Sequence, residues 1–288
     1  MAFRNVIVES NCKLDYALGY LVCKTKTTEK RVLINEMQLL LVSSIQVSIT
    51  AALISQLIQN KVKIIFCDSK HFPTGEVVPY QNNYYSYRKI NEQLSFSRNG
   101  EIAWMEIVKE KILNQANNLL LMKNEKLYEQ LLGYSQEVEL NDSTNREGHA
   151  AKVYFNGLFG IGFSRDNDSL INKYLNYGYS ILLSLISREI KMFGYLTEIG
   201  IHHIGESNSF NFSCDLIEPL RPFIDKLVIE LKVNEDTYKE AFVQSLETIV
   251  LYDGKRMTMD NAIHLYINGV IKFLKGECDS MKFIRYEL

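Results

Sequence analysis

Over the first seventy residues, apolar positions fall in short runs separated by turn residues. NVIVES (5–10), LDYALGYLVCKT (14–25) and KRVLI (30–34) are rich in Val, Ile, Leu and Tyr and read as strands. ITAALISQLIQNK, Ile49 to Lys61, spaces its apolar residues as one helix does, and KIIFCDS, Lys63 to Ser69, reads as a buried strand ending in polar residues. HFPTGEVVPYQNNYYSYRKINEQ, His71 to Gln93, holds two of the four prolines and a polar, tyrosine-rich tract, the composition of a linker or exposed hairpin. From about Ser95 the period changes. Ile102, Met105, Ile107, Val108 and Ile112 form a helical stripe. Similar stripes follow in residues 143–160, 168–190, 220–232, 234–250 and 257–277. The expectation is an α+β chain: a small N-terminal β-rich domain with one helix over 1–75, a linker over 76–95, and a larger all-α C-terminal domain over 96–288.

Composition narrows the function classes. Hydrophobic residues make up 47% of the 288, enough for a core, and the net charge of −2 is not the footprint of a protein that binds nucleic acid over its whole surface. Any such role needs a local patch, a metal ion or a partner. Five scattered cysteines without a CxxC pair argue against a disulfide framework or zinc ribbon. The start, MAFRNVIVES, lacks the layout of a signal peptide, and no apolar run reaches the ~18 residues of a membrane span, so a cytoplasmic protein without membrane attachment is expected.

Candidate chemistry concentrates in HHIGESNSFNFSCDLIEPLRP, His202 to Pro222. Asp215 and Glu218 are three apart, and on a helix they lie ~60° apart around the axis, both facing one way. With His202 or His203 upstream and one further acid, they would supply the hard oxygens and imidazole that a phosphate-directed divalent metal takes. Asp-x-x-Glu is also the capping-box spacing, with Asp215 as N-cap, and Pro219 and Pro222 suit a helix beginning there. The further acid is Glu147 in NREGHAAKVYF, where the small residues Gly148, Ala150 and Ala151 permit close helix packing. Glu147 is equally an ordinary first-turn glutamate. Residue types alone leave both pairs of readings open.

Taken in order, NREGHAAKVYF around Glu147, IGIHH ending at His203, and DLIEPLRP from Asp215 resemble the signature blocks of CRISPR-associated protein 1, the integrase of CRISPR adaptation. The separations, 203 − 147 = 56 and 218 − 203 = 15, are similar to those of type II system members. The resemblance spans essentially the whole chain and implies a β-rich dimerisation domain followed by a helical catalytic domain. It implies Glu147, His203 and Glu218 as ligands of Mg²⁺ or Mn²⁺, with Asp215 auxiliary and His202 the neighbour that the spacing does not select. Many members carry aspartate where this chain has Glu218.

The activity so implied is metal-dependent transesterification. The 3′-hydroxyl of a short double-stranded DNA fragment attacks a phosphodiester at the edge of a CRISPR repeat. The absence of a GxxxxGK[ST] loop agrees with a reaction that needs no external energy. Implied partners are a second copy of the chain, CRISPR-associated protein 2 and other adaptation subunits. Arg146 and Arg221 flank the acids and are candidate phosphate contacts. Tyr84 and Arg88 in the linker are candidates for base stacking and phosphate contact, or simply cover a domain junction. The competing functions are a metal-dependent nuclease or phosphohydrolase using the same ligands, and a non-catalytic DNA-binding scaffold whose acids only cap helices.

Overall fold

In the computed structural model, residues 4–69, 73–77, 79, 87–230 and 237–286 are described. The chain divides into two compact units, Met1–Asn82 and Asn83–Leu288. In the first unit the alternating runs form two four-stranded sheets. β1 (Arg4–Val8), β2 (Cys12–Ala17), β3 (Tyr20–Lys24), β4 (Glu29–Leu33), β5 (Met37–Val42) and β6 (Val47–Ile49) precede helix α1 (Ala51–Gln59), and β7 (Lys63–Cys67) and β8 (Pro73–Glu76) follow it. One sheet has the order β1-β5-β7-β8, with β8 antiparallel to β7 and the rest parallel. The other runs β4-β3-β2-β6. MQLLLV of β5 is almost wholly buried, as a continuous apolar strand inside a parallel sheet must be. Leu14, Leu21, Leu40, Leu53, Leu57 and Ile64 make the core between the sheets and α1, whose first turn is capped by the Thr50 hydroxyl accepting from Leu53 N.

LDYALGYLVCKT, read as one run, folds back on itself. Leu18 and Gly19 take left-handed φ of 49° and 86° and turn β2 into β3. The basic KTKTTEKR tract is the β3–β4 hairpin tip, closed by Thr25 and Thr28.

The second unit is mainly helical: α2 (Tyr87–Leu94), α3 (Ser97–Leu121), α4 (Glu125–Gln136), α5 (Arg146–Phe159), α6 (Leu170–Met192), α7 (Asn211–Ile217), α8 (Arg221–Glu230), α9 (Tyr238–Gln244) and α10 (Met259–Leu274). It also carries a hairpin, β9 (Ile249–Tyr252) and β10 (Lys255–Thr258), where the helical stripe was expected to run on to Val250. The β-branched run Thr248–Val250 and the left-handed Asp253-Gly254 turn, φ 49° and 75°, favour the hairpin over another helical turn. None of the helices among the described residues is long and apolar enough to cross a membrane.

α3 is the spine of this unit and packs against α4, α5, α8 and α10. Trp104, Ile107, Val108, Ile112, Ala116 and Leu119 are all but fully buried along it. So are Glu110, Lys111, Asn114, Gln115 and Asn118, an unusual load of polar groups for a central helix. α6 packs on α7, α8, α9 and α10 through Tyr177, Ile181, Leu182 and Ile186. At Gly178 a Cβ would lie 2.6 Å from Ile224 Cγ2 and 2.9 Å from Phe242 Cε1. Gly178→Ala is therefore expected to lower unfolding stability by about 1–3 kcal/mol despite its better helix propensity. Urea unfolding checks this; a variant as stable as the parent would show that α6 has room there.

Candidate functional site

The site grows from one face of α3. Trp104, Lys111 and Asn118 are seven apart, about −20° around the helix, and so share a face with Asn114 between them. Asn114 Nδ2 donates to the Pro219 carbonyl at 2.9 Å, and Asn118 Nδ2 to the Pro222 carbonyl at 2.7 Å. These bonds fasten the stretch where Pro219 and Pro222 interrupt the helical ladder and leave a short 3₁₀ turn, Glu218–Leu220, between α7 and α8. Asp215 is therefore not an N-cap. It lies inside α7, which begins at Asn211, so the capping-box reading fails.

Asp215 instead organises the preceding loop. Its side chain is fully buried. Oδ2 accepts from Ile201 N at 2.6 Å and His202 N at 3.3 Å, while Oδ1 accepts from His203 N at 3.0 Å and from His203 Nδ1 at 2.7 Å. One carboxylate thus folds residues 201–203 back over α7 and commits His203 Nδ1, leaving Nε2 as the other ring nitrogen. That hydrogen bond raises the His203 pKa above the ordinary imidazole value, and the negative charges of Glu218 and Glu147 add to the shift. The same loop needs Gly200, whose Cβ would come within 2.4 Å of the His203 carbonyl and 2.6 Å of Asp215 Oδ2.

Trp104 supports both histidines. His202 stacks on the indole with centroids 4.1 Å apart and planes 5° from parallel, and His203 meets it edge-on at 5.5 Å. His202 Nδ1 lies 3.0 Å from Asn141 Oδ1, and burial lowers its pKa. The two adjacent rings thus have different tasks: His202 is wedged between Trp104 and Asn141, and His203 is held by Asp215.

Glu147 stands in the first turn of α5. Asn145 is the N-cap and accepts from Gly148 N, and the Asp142 carboxylate accepts from Arg146 N at 2.8 Å and Glu147 N at 3.1 Å. The first-turn reading and the site reading of Glu147 therefore coexist. Lys111 Nζ lies 2.5 Å from Glu147 Oε1 and 2.5 Å from Glu218 Oε2, and Arg221 Nε donates to Glu218 Oε1 at 2.8 Å. Burial pushes the Glu218 carboxyl up, but Arg221 and Lys111 outweigh it and hold it down at about 2. Burial likewise opposes the charge on Lys111, and Glu218 and Glu147 restore it, raising its pKa.

The structure thus brings Glu147 and Glu218 together on one cation, with His203 close enough to feel both charges. The cation is an ammonium, and among the described residues no three His, Cys, Asp or Glu side chains stand ready as a metal shell. Arg221 belongs to the site, its guanidinium stacked 4.7 Å over the Tyr179 ring. Arg146 turns away to Glu137 at 3.0 Å and the Tyr134 ring. Arg88 is exposed on α2, and Tyr84 lies outside the described residues. Beside His203 opens a cavity of about 340 Å³, lined by Glu198, Gly200, Glu206, Asn208 and Asn211 among others.

Beneath Arg221, Tyr179 donates to Asp225 Oδ1 and Tyr154 to Asp225 Oδ2, while Asn118 Nδ2 donates to the Tyr154 hydroxyl. Residue-by-residue reading of the sequence missed this layer, and with it Trp104, Lys111, Asn114 and Asp142. The available signal was polar residues at heptad spacing inside an apolar helical stripe.

Removing the Asp215 carboxylate leaves three backbone N–H groups and an imidazole without their acceptor. Asp215→Ala is expected to cost roughly 2–4 kcal/mol in urea unfolding; an unchanged midpoint would mean that the loop is held by other contacts. Burial pushes Asp225 up to about 6 from 3.8. An acid raised in this way contributes stability at low pH that is lost as pH rises through about 6. The stability of the parent relative to Asp225→Asn should therefore fall between pH 4 and 7, by up to about 3 kcal/mol; a flat difference would place Asp225 in a wetter setting.

The family model described as CRISPR associated protein Cas1 matches residues 6–264. The CRISPR-associated endonuclease Cas1 of Neisseria meningitidis serogroup C is 32% identical over 232 residues, which cover 80% of this chain and 76% of that protein. The solved structure of a casposase bound to integration product matches with a TM-score of 0.74 at 18% identity, covering 98% of this chain and 92% of that one. A chain of a Cas6-RT-Cas1–Cas2 complex matches with a TM-score of 0.73 at 15% identity, and this chain spans 96% of its own length but 35% of that longer one. With the family model covering nine-tenths of the sequence, both of its units and the site between α3, α5, α7 and α8, the chain belongs to the CRISPR associated protein Cas1 family.

Proposed function

We propose that the chain is the metal-dependent DNA integrase of CRISPR adaptation. The observation that carries this reading is the meeting of Glu147 and Glu218, from separate helical segments, on one cation beside His203. In donor chemistry these residues fit Mg²⁺ or Mn²⁺. Two carboxylates already gather round positive charge, and His203 has Nδ1 tied to a buried carboxylate with Nε2 left over, the pattern of a ligating histidine. Glu147, Glu218 and His203 Nε2 would hold the ion, which when bound supplies a Lewis acid for the phosphodiester and lowers the pKa of the attacking hydroxyl.

The chain's own groups do the rest. Asp215 fixes the His203 tautomer and ring plane. Arg221 neutralises the Glu218 oxygen that faces away from Lys111. Trp104 keeps the histidine loop from sliding along α3. In the reaction, the 3′-oxygen of the DNA fragment bonds to phosphorus at the repeat edge, and the repeat strand's own 3′-oxygen leaves as a hydroxyl. One phosphodiester is made for each one broken.

The casposase neighbour, bound to an integration product, supports joining, and the Cas1–Cas2 neighbour supports a place in an assembly with CRISPR-associated protein 2; double-stranded DNA and a second copy of the chain belong to the same proposal. The endonuclease name of the Neisseria relative favours a second reading, hydrolysis at the same ligands with water as the nucleophile.

A labelled DNA fragment, a supercoiled plasmid carrying a repeat array, the protein and its small partner would be incubated with EDTA, Mg²⁺ or Mn²⁺. Label should pass to the plasmid only with metal. Glu218→Gln should lose joining at least about 100-fold, the usual scale for one transition-state contact, while remaining folded. Shortened DNA without linkage would establish the nuclease instead, and full joining by folded Glu218→Gln would sink the ligand assignment.

A further inference from the structure

Lys111 is the one cation in the site that sequence reasoning never reached, and it sits on the atoms a metal would need. Glu218 offers two oxygens. Oε1 is engaged by Arg221, and Oε2, the remaining one, faces Lys111 Nζ at 2.5 Å. Glu147 meets the same ammonium through Oε1 at 2.5 Å. Among these four groups the charges balance without any added ion: Glu147 and Glu218 against Lys111 and Arg221, with the Asp215 carboxylate set apart on the histidine loop. The Lys111 and Glu218 side chains are 11% and 5% exposed, so little water screens them. A dication entering this neutral cluster with the ammonium in place would carry two uncompensated charges against a buried like charge, which a low dielectric penalises heavily.

The ammonium has somewhere to go. One turn further along α3, the buried Gln115 side chain has an Oε1 with no hydrogen-bond partner. Residues four apart on a helix share a face, so Gln115 lies one turn from Lys111, within reach of its flexible four-carbon stem. An orphaned buried acceptor is costly to keep and is an apt receiver for a displaced donor.

We propose that Lys111 is a resident counter-ion that occupies the metal position in the metal-free protein, and that metal loading is an exchange in which the ammonium withdraws toward Gln115. This rests on the metal reading above. It accounts for how the buried Glu218 carboxylate and the partly exposed Glu147 carboxylate stay assembled before a metal arrives, and it makes divalent affinity a difference between two cations rather than an absolute attraction.

The test is calorimetric titration of Mn²⁺ into EDTA-stripped protein, together with melting temperature in EDTA and in Mn²⁺. For Lys111→Met, the metal-free melting temperature should fall and Mn²⁺ should bind at least tenfold more tightly than in the parent, with a larger metal-induced rise in melting temperature. Lys111→Arg keeps the charge but adds volume and donors, so its metal-free melting temperature reports any overpacking, and it should bind Mn²⁺ no more tightly than the parent. Unchanged or weaker Mn²⁺ binding by Lys111→Met, or tighter binding by Lys111→Arg, overturns the exchange and makes Lys111 a fixed partner of the ion. Glu218→Gln separates the two readings. If parent Mn²⁺ binding is absent or insensitive to Glu218→Gln, the metal centre itself is wrong and the exchange falls with it. If binding depends on Glu218 but not on Lys111, only the exchange falls.

Discussion

Burying the Lys111 ammonium in the middle of α3 is the constraint around which the helical unit is arranged. An unpaired buried ammonium costs several kcal/mol, so the fold must bring negative charge to it from outside the helix. Glu147 arrives on the first turn of α5 and Glu218 on the 3₁₀ turn between α7 and α8. The placement of those two elements, and the interruption of the helical ladder at Pro219 and Pro222, are then not independent features. The Asn114 and Asn118 amides cap the interruption from the same face of α3, so one helix supplies both the charge and the carbonyl partners that fix the segment.

The same logic descends one layer. Arg221 is needed against Glu218, and its own burial is met by the Tyr179 ring beneath it. Tyr179 in turn directs its hydroxyl at Asp225, which Tyr154 and, through it, Asn118 complete. The chain of contacts leaves α3 at Lys111 and returns to it at Asn118. A closed circuit of this kind resists the loss of any single member less well than an apolar core would, because each deletion strands a buried partner. In exchange it specifies one arrangement of α3, α5, α6 and α8.

The domain-scale pattern was legible because it rests on periodicity: short β-branched runs before residue 70 and helical stripes after 95 follow from side-chain geometry alone. Turn chemistry was partly missed. Asp253-Gly254 announces a hairpin, yet the flanking segments were read as helix up to Val250 and again from Met257. The site divided along a different line. Glu147, His203, Asp215 and Glu218 stood out by residue type and spacing and took assigned roles only from resemblance to family motifs, while their contacts in the structure join residues tens of positions apart. Asp142 gave no local sign and Lys111 only its place in a polar heptad row, because a lysine or aspartate on a helix or near its cap is ordinarily solvated. Only the tertiary partner makes each unusual. Asp215 shows the converse: its local spacing indicated a cap, and the loop it gathers lies twelve to fourteen residues upstream.

Glu218 brings these strands together. It stands on a 3₁₀ turn, where the backbone is tighter than an α-helix and side chains three apart eclipse, which sets Arg221 directly over it. A carboxylate so placed has one oxygen consumed by its own segment and one left for the rest of the protein. Its extra methylene, relative to the aspartate of many family members, lets that second oxygen reach across to α3 while the first stays with Arg221. The two glutamates are thereby paired with cations, buried on the α3 side, and the site opens at His203, where the cavity lies. A ligand carrying negative charge meets no repulsion from the paired carboxylates, and cations are needed only where that ligand's charge develops. Lys111 and Arg221 thus supply the local positive charge of the site in a chain whose net charge is −2.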